Sequence, residues 1–304
     1  MRILLIGQAA FAERVLERLA SGGHEIAAVV CPPDRGPKPD PTKVAALARG
    51  VPVHQFASLK GAEARDAFAA ARADVGVLAY VTQIVPEALL ALPRLGSVCF
   101  HPSLLPRYRG GSAIPWQLIR GETMTGVTVF WPDAGIDTGP ILLQRSAPVG
   151  PDETAGSLYY GTLFELGVDV VVEAVELIAA GRAPRLPQDA ALATYDPLLT
   201  DVHAAIDWAA PAHRVHDLIR GCDPQPGAHT IAGEALVRLF EPRRVAGVAG
   251  HPPGTVVALD ATGVTVATAD GVVHCARARG DGPKAAAADV LRGLGVTAGV
   301  RLGR

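Results

Sequence analysis

The feature that most constrains the fold is an alternation of short apolar runs with amphipathic stretches near the amino terminus. The runs at 2–7, 25–30 and 74–80 have the length of buried strands, and a glycine closes the first one. Between the first two runs, residues 9–20 place apolar side chains on one helical face. Strands that alternate with helices form parallel sheets with crossover helices. We therefore predict an open, mostly parallel, Rossmann-like α/β sheet.

Sheets of this kind bind ligands outside the carboxyl ends of their strands. The first strand leads into Gly7-Gln8-Ala9-Ala10-Phe11-Ala12, which lacks the second and third glycines of the dinucleotide-binding GxGxxG motif. The chain also lacks the phosphate-binding GxxxxGK[ST] motif. The pattern thus predicts a ligand-binding edge without indicating a nucleotide.

The pattern changes after a proline-rich passage at 183–197. Short β-like runs follow at 235–240, 254–260, 263–267 and 272–277, with turns rich in Asp and Gly between them. Short strands at such spacing are typical of a small barrel of the OB type. We therefore predict two domains, an α/β domain over residues 1–203 and an OB-like β-barrel domain over residues 204–304.

Composition and charge argue against several classes of protein. Of the 304 residues, 49% are hydrophobic and 19% are charged, which is typical of a soluble globular protein. The net charge of -2 provides no overall basic field for DNA, and it weakly disfavours RNA. No apolar run approaches the roughly 18 residues of a membrane span. The four cysteines lack the CxxC spacing of zinc and redox motifs, which predicts reduced thiols in a cytoplasmic protein without a metal site.

Two stretches contain the residues most suited to chemistry. Residues 99–111 read CFHPSLLPRYRGG, with His101 at the carboxyl end of an apolar run and prolines that restrict the backbone after it. Residues 133–140 read DAGIDTGP, a loop with carboxylates at Asp133 and Asp137. Taken alone, a histidine at a strand end is more often a structural hydrogen-bonder, and such a loop is more often a turn with capping carboxylates.

Taken together, HPSLLPRYRG and the following DAGIDTG resemble the formyltetrahydrofolate-dependent formyltransferase family. The likeness extends over nearly the whole chain and is greatest to the hydrolase domain of 10-formyltetrahydrofolate dehydrogenase. Further stretches that carry it are Gly50–Val53, Gln83–Pro86, Ala183–Gln188, Ile206–Trp208 and Ile219–Gly221. The resemblance implies a catalytic domain with this family's fold and 10-formyltetrahydrofolate as the formyl donor.

The resemblance also implies roles for particular side chains. Protonated His101 would donate to the oxyanion of a tetrahedral intermediate, while Asp137 would accept the proton of the attacking nucleophile. Ser103 would either orient His101 or cap a helix. Arg107 and Arg109 would either meet an anionic group or form a solvated basic loop. The residues predicted to bind the folate are Gln83, Ile84, Val85, Leu104, Asp133, Gly135 and Asp137.

Cys99 departs from the family's pattern. Most transferases in the family have an asparagine two residues before the catalytic histidine, and this asparagine donates a hydrogen bond to the oxyanion. A thiol is a weak donor and replaces it poorly. Cys99 is therefore either a small apolar filler or part of a changed oxyanion site, and a role as nucleophile has no support from its neighbours in the sequence.

The acceptor of the formyl group stays open at this stage. Water or a small-molecule amine is the first interpretation, because the chain resembles the hydrolase domain and lacks the asparagine. Methionyl-tRNA is an alternative, although the loop at 32–41 has two cations against two anions and too little positive charge to grip phosphates. A third hypothesis is a folate-binding regulatory protein without catalysis, against which the retained His101 and Asp137 argue.

Overall fold

The structure, a computed structural model, describes residues 1–34, 36–245 and 250–303. Strands and helices alternate in its amino-terminal part, in the order β1 (Arg2–Gly7), α1 (Ala9–Ser21), β2 (Glu25–Cys31), α2 (Pro41–Ala48), β3 (Val53–Gln55), α3 (Ala62–Ala71), β4 (Val75–Ala79), α4 (Glu87–Leu90) and β5 (Ser97–His101). Arg35, one of the two cations in the loop at 32–41, lies outside the described residues.

The chain continues with a short helix, two strands and a longer helical segment. These are α5 (Ala113–Ile119), β6 (Met124–Phe130), β7 (Ile141–Pro148), α6 (Ala155–Leu158), a π-helical turn (Tyr159–Leu163) and α7 (Phe164–Ala179). Residues 155–179 do not form one α-helix: α6 begins after Thr154, whose side chain accepts from the Ser157 amide, and the π-helical turn then separates α6 from α7. Apolar periodicity alone does not reveal a change of one residue in the helical repeat.

The carboxyl-terminal part contains α8 (Ala212–Gly221), β8 (Ala228–Ala232), β9 (Ala235–Val245), β10 (Val256–Asp260), β11 (Gly263–Ala267), β12 (Val272–Arg279), β13 (Ala285–Ala286) and α9 (Ala287–Gly293). Across the described ranges, no helix has both the length and the apolar character that crossing a membrane requires.

The first sheet has the strand order β3-β2-β1-β4-β5-β6-β7. Its pairs from β3 to β5 are parallel, whereas β6 runs antiparallel to β5. This confirms the predicted mostly parallel α/β sheet. The chain leaves β1 towards β2 and β3 and then returns to β4 on the other side of β1, so the topological switch point lies between β1 and β4.

Close packing fixes β5 against the helices. The Phe100 ring lies 4.4 Å from the Phe11 ring of α1, centroid to centroid. A Cβ at Gly167 of α7 would lie 2.5 Å from the Phe100 ring, so α7 approaches the sheet closely only because this residue is glycine. Protein interiors are packed as densely as organic crystals, and such contacts leave little freedom. The strand that ends in His101 is therefore rigidly held.

The chain divides into two compact units, each of which is discontinuous in sequence. The first comprises Met1–Gly111, Gly126–Ala147 and Thr162–Tyr195, and the second comprises Ser112–Thr125, Pro148–Gly161 and Asp196–Arg304. The single boundary that we placed near residue 203 stays a prediction.

The second unit contains an antiparallel sheet in the order β10-β11-β12-β9-β8, with β13 paired to β12. Its core includes Val215 and Ile219 of α8, Val237 and Leu239 of β9, and Leu291 of α9. An antiparallel β domain after the α/β sheet is thereby confirmed. Strand β8 and helix α9 were missed, because their small and polar residues carry little hydrophobic pattern.

Candidate active site

His101 ends β5 at the carboxyl edge of the sheet and is 5% exposed. Its Nε2 lies 2.7 Å from the carbonyl oxygen of Tyr108. A carbonyl only accepts hydrogen bonds, so Nε2 carries a proton and donates it. Its Nδ1 lies 3.5 Å from Oδ2 of Asp137. The structure thus brings together the two residues that the motifs predicted, and it leaves Nδ1 as the nitrogen available for chemistry.

Asp137 is held by the loop that follows β5. Its Oδ2 accepts a hydrogen bond of 2.7 Å from the Gly110 amide. Its φ of 55° lies in the left-handed region, which aspartate tolerates better than most residues. Tyr108, whose carbonyl binds His101, also has a positive φ, of 60°. Strained backbone at two neighbouring contacts of one site is typical of a functional site that the surrounding structure holds in place.

Gln188 fixes the Asp137 loop from a distant part of the sequence. Its Nε2 donates to the carbonyl oxygens of Asp137, at 2.9 Å, and Gly139, at 2.7 Å. Its Oε1 accepts from Nη2 of Arg109 at 2.7 Å. Sequence reasoning noticed Gln188 only as part of the family resemblance and gave it no role. Its position between turn-forming residues offered no signal beyond that resemblance.

Asp133 and Gly135 shape the turn that carries Asp137. Oδ1 of Asp133 accepts from the Gly135 amide at 3.0 Å and also from the Thr138 hydroxyl. A Cβ at Gly135 would lie 2.0 Å from the Thr138 hydroxyl oxygen, and one at Gly139 would lie 1.8 Å from the Trp131 carbonyl oxygen. Both glycines are therefore required by close approach. The predicted contact of Asp133 and Gly135 with the folate stays a prediction.

Ser103 lies in the loop after His101 and is fully buried. Its hydroxyl donates to the Arg107 carbonyl at 2.7 Å, so it ties the two ends of the loop together. The Thr128 hydroxyl donates to the Ser103 carbonyl at 2.6 Å and accepts from Nε2 of Gln144 at 2.8 Å. This buried network anchors the loop to β6 and β7. The side chain of Ser103 thus positions the loop that supplies the carbonyl bound by His101.

Cys99 precedes His101 by two residues in β5, so the two side chains point to the same face of the sheet. The residue is partly buried, and its Sγ lies 3.6 Å from the Phe100 carbonyl oxygen. Burial raises the pKa of the Cys99 thiol well above its ordinary value, and the nearby Asp137 carboxylate raises it further. The thiol therefore stays protonated at neutral pH, which argues against a nucleophilic thiolate.

Three of the residues predicted to bind the folate, Gln83, Ile84 and Val85, lie just after β4, beside the switch point. A small cavity there is lined in part by Gly7, Cys31 and Gln83. The Gln83 amide donates to the carbonyl oxygens of Phe56 and Ala57, at 3.1 and 3.0 Å. Ile84 is 79% exposed, whereas Val85 packs into the core. This segment therefore offers an apolar side chain from Ile84 and backbone groups from its neighbours.

Leu104 and the two motif arginines lie around the same loop. A Cβ at Gly126 would lie 2.6 Å from Leu104, so the leucine packs directly on β6. Arg107 is exposed. Arg109 donates to Gln188 through Nη2, while its buried Nε has no hydrogen-bond partner in the part of the chain that the structure describes.

A buried imidazole and a carboxylate lie side by side at the carboxyl edge of a mostly parallel sheet, an arrangement suited to general acid–base chemistry. The chain belongs to the formyl transferase family. The family's formyl transferase domain matches residues 1–175, and its C-terminal domain matches residues 199–295. The resemblance seen in the motifs is thereby confirmed.

Two curated relatives differ in how they align with the chain. The mitochondrial 10-formyltetrahydrofolate dehydrogenase of Mus musculus is 45% identical over 245 residues, covering 79% of this chain and 26% of the relative. The chain thus spans about a quarter of the length of that enzyme. The methionyl-tRNA formyltransferase of Roseiflexus sp. (strain RS-1) is 41% identical over 312 aligned positions, covering 100% of this chain and 95% of the relative.

The crystal structure of HypX from Aquifex aeolicus in complex with tetrahydrofolic acid has a similar fold. The TM-score is 0.69 at 23% identity, and the match covers 97% of this chain and 47% of that chain.

Proposed function

We propose that this enzyme transfers the formyl group of 10-formyltetrahydrofolate to a nucleophile bound at the edge of the first sheet. The observation that carries the proposal is the His101–Asp137 pair, with Nδ1 and Oδ2 3.5 Å apart at the carboxyl end of β5. Both side chains are fixed by other contacts, so neither has to be ordered when substrate binds. Preorganised groups of this kind lower the barrier without reorganisation during the reaction.

The two side chains have different tasks in the proposed reaction. Attack on the formyl carbonyl, which is amide-like at N10, places negative charge on its oxygen. Because the Tyr108 carbonyl occupies Nε2 of His101, only Nδ1 is left to donate a proton or hydrogen bond to that oxygen. Asp137 lies beside Nδ1, where it accepts the proton that the nucleophile loses, directly or through water. The tetrahedral intermediate then collapses by breaking the bond between the formyl carbon and N10, and N10 takes up that proton so that tetrahydrofolate leaves.

The donor would bind along the segment that follows β4. Ile84 is exposed at this edge and provides the apolar contact that a pterin ring needs, while the backbone beside it offers hydrogen-bonding groups. The Gln83 side chain is already used to hold the segment, so the residues present fit recognition through the backbone. The fold shared with HypX, whose crystal structure contains tetrahydrofolic acid, supports this proposal.

We propose methionyl-tRNA as the acceptor, which reverses the order given by the sequence alone. The support is the likeness to a methionyl-tRNA formyltransferase along the entire chain, including the second domain. Charge in the loop at 32–41 had argued against this acceptor. In the structure, Asp34 pairs with Lys43, and Asp40 caps α2 and accepts from the Ala9 amide. The loop's two carboxylates are therefore engaged within the protein.

Hydrolysis of 10-formyltetrahydrofolate is the second candidate. It is favoured by Cys99, whose protonated thiol is a weak substitute for an amide donor, and by the 45% identity to a formyltetrahydrofolate dehydrogenase over 245 residues. Water needs less positioning than an amine carried by a large substrate. The two candidates therefore differ in whether the folate product forms without an added acceptor.

The test is release of tetrahydrofolate from 10-formyltetrahydrofolate by the full chain. Reactions contain methionyl-tRNA, uncharged tRNA, free methionine or no acceptor. Release that requires methionyl-tRNA supports the first candidate, and equal release without acceptor supports the second. Asp66→Asn is the matched control for Asp137→Asn, because Asp66 is an exposed aspartate of α3 outside the site. No release under any of these conditions would contradict both candidates.

A further inference from the structure

A second cavity, entirely within the second compact unit, is rich in arginine. It has a volume of about 540 Å³. The lining residues that matter to its charge are Arg120, Arg214, Arg220, Arg244, Glu122 and Asp217. We propose that this cavity binds the phosphate group of a small phosphomonoester. The inference is independent of the proposed formyl transfer, because none of these residues belongs to the His101–Asp137 site.

The arginines reach the cavity from several elements. Arg120 directly follows α5, and Arg244 lies on β9. Arg214 and Arg220 lie on α8, each three residues from Asp217. These elements belong to one compact unit, so the fold of that unit fixes how the four arginines are arranged.

Arg220 provides the strongest indication of a ligand. The residue is 4% exposed, and its Nε donates to Oδ1 of Asp217 at 2.7 Å. Its buried Nη1 has no hydrogen-bond partner among the residues that the structure describes. A buried guanidinium N–H without an acceptor is costly, and the cost disappears when a ligand oxygen accepts from it. Arg220 lines the cavity and is thus suited to bind an anion there.

Asp217 keeps Arg220 in place without neutralising the cavity. Burial acts to raise the pKa of Asp217, but hydrogen bonds and charge from His216 and Arg220 outweigh it and lower that pKa below its ordinary value. The carboxylate therefore stays ionised at neutral pH. Four arginines against Glu122 and Asp217 give the lining a formal charge of +2 with His213 neutral, whereas the whole chain has a net charge of -2.

The four arginines differ in whether they form an ion pair within the protein. Arg120 is paired with Asp196, and Arg220 is paired with Asp217. Arg214 and Arg244 are exposed and make no ion pair within the described ranges. Guanidinium groups bind phosphate through two parallel N–H donors, which makes arginine the preferred residue for this anion.

The size of the cavity favours a small phosphorylated molecule. Ligand pockets for small molecules typically have volumes of about 300–1,000 Å³. The observed volume of about 540 Å³ falls in this range, and it leaves room for an organic group beside the phosphate. A nucleic acid would instead need a groove that follows several successive phosphates.

The test is binding of inorganic phosphate and of glycerol 3-phosphate to the full chain, measured by isothermal titration calorimetry. We expect saturable binding of both, and none of glycerol. Arg244→Gln and Arg214→Gln should each weaken binding about tenfold or more, because each removes a charged fork donor. Arg243→Gln is the matched control, since Arg243 is exposed on the same strand and points to the opposite face.

Arg220→Lys tests the buried residue while keeping its charge, and thermal melting establishes that the variant folds. A folded Arg220→Lys protein should bind glycerol 3-phosphate about tenfold more weakly, since lysine lacks the planar fork. If Arg220→Lys unfolds, the comparison of Arg244→Gln with Arg243→Gln decides alone. Absence of saturable binding, or equal weakening by Arg243→Gln and Arg244→Gln, would overturn the proposal. Tight binding of a short single-stranded RNA that Arg243→Gln also weakens would indicate a diffuse basic surface and would overturn it too.

Discussion

Replacing Gln188 with leucine tests whether the loop that carries Asp137 is positioned for catalysis from outside the two motifs. The Gln188 amide donates to the carbonyls of Asp137 and Gly139 and accepts from Arg109. Leucine has a similar size but neither donates nor accepts a hydrogen bond. The change therefore removes three hydrogen bonds and leaves the volume of the side chain nearly unchanged.

The structure gives a rough magnitude for both stability and rate. Three hydrogen bonds at about 0.5–1.5 kcal/mol each predict a loss of about 1.5–4.5 kcal/mol in the free energy of unfolding. The Asp137 backbone has a φ of 55°, so without these bonds the loop should relax towards an unstrained conformation. A displacement of about 1 Å costs roughly 100-fold in rate. We expect kcat to fall about 10- to 100-fold and KM for the folate to change only a few-fold.

The assay is steady-state release of tetrahydrofolate, at a temperature where circular dichroism shows that the variant is folded. Gln225→Leu is the matched control, because Gln225 is exposed and lies outside the site. A purely structural Gln188 would lower the melting temperature but leave kcat of the folded enzyme unchanged. That result would refute the positioning role.

Three further predictions concern the reactivity of the thiols, the stability of the protein at acidic pH and the packing of β5. Burial raises the pKa of Cys31 to about 11 and that of Cys99 still further. Iodoacetamide at pH 8 should therefore label both thiols slowly in the folded protein and rapidly in urea. Rapid labelling of Cys99 in the folded protein would contradict this. Because the pKa of Asp217 is lowered by folding, its stabilising contribution is present above the unfolded value of about 3.9 and is lost as pH falls through the lower folded value. Urea unfolding of Asp217→Asn should therefore show a smaller drop in stability between neutral and strongly acidic pH than the wild type, and an equal drop would count against it. Gly167→Ala places a Cβ 2.5 Å from Phe100 and should lower the free energy of unfolding in urea by about 1–3 kcal/mol. Gly161→Ala is the control and should lower it less, because open space surrounds Gly161. Equal stabilities of the two variants would show that α7 can shift.

The parts of the fold with a strong hydrophobic pattern were predictable from the sequence. β1 has the predicted bounds because it is a buried run that a glycine ends, and β5 ends at His101 as predicted, just before a proline. The antiparallel direction of β6 was not predictable, because alternation of apolar residues is the same in either direction. Strand β8, with the sequence AHTIA, and helix α9, with the sequence AADVLRG, were missed because each has too few large apolar residues to form a periodic pattern.

The site was predictable only where a motif lies in consecutive residues. His101 and Asp137 stand out because each occupies a recognisable stretch, and the structure places their side chains next to each other. The role of Gln188 depends on a contact between residues 51 positions apart, which no local pattern encodes. The roles of Ser103 and Asp133 in holding turns also depend on backbone geometry that the sequence does not display.

The most direct test of the central claim is a single-turnover measurement of formyl transfer with Asp137→Asn and His101→Gln. Wild type and Asp66→Asn are assayed in parallel, and binding of tetrahydrofolate to each protein is measured separately by fluorescence. Both site variants should bind tetrahydrofolate within a few-fold of the wild type and release product about 100- to 1,000-fold more slowly, as expected when one oxyanion-stabilising or proton-accepting group is lost. A near-normal rate for either variant, in protein that binds the folate normally, would contradict the assignment of His101 and Asp137 as the catalytic pair.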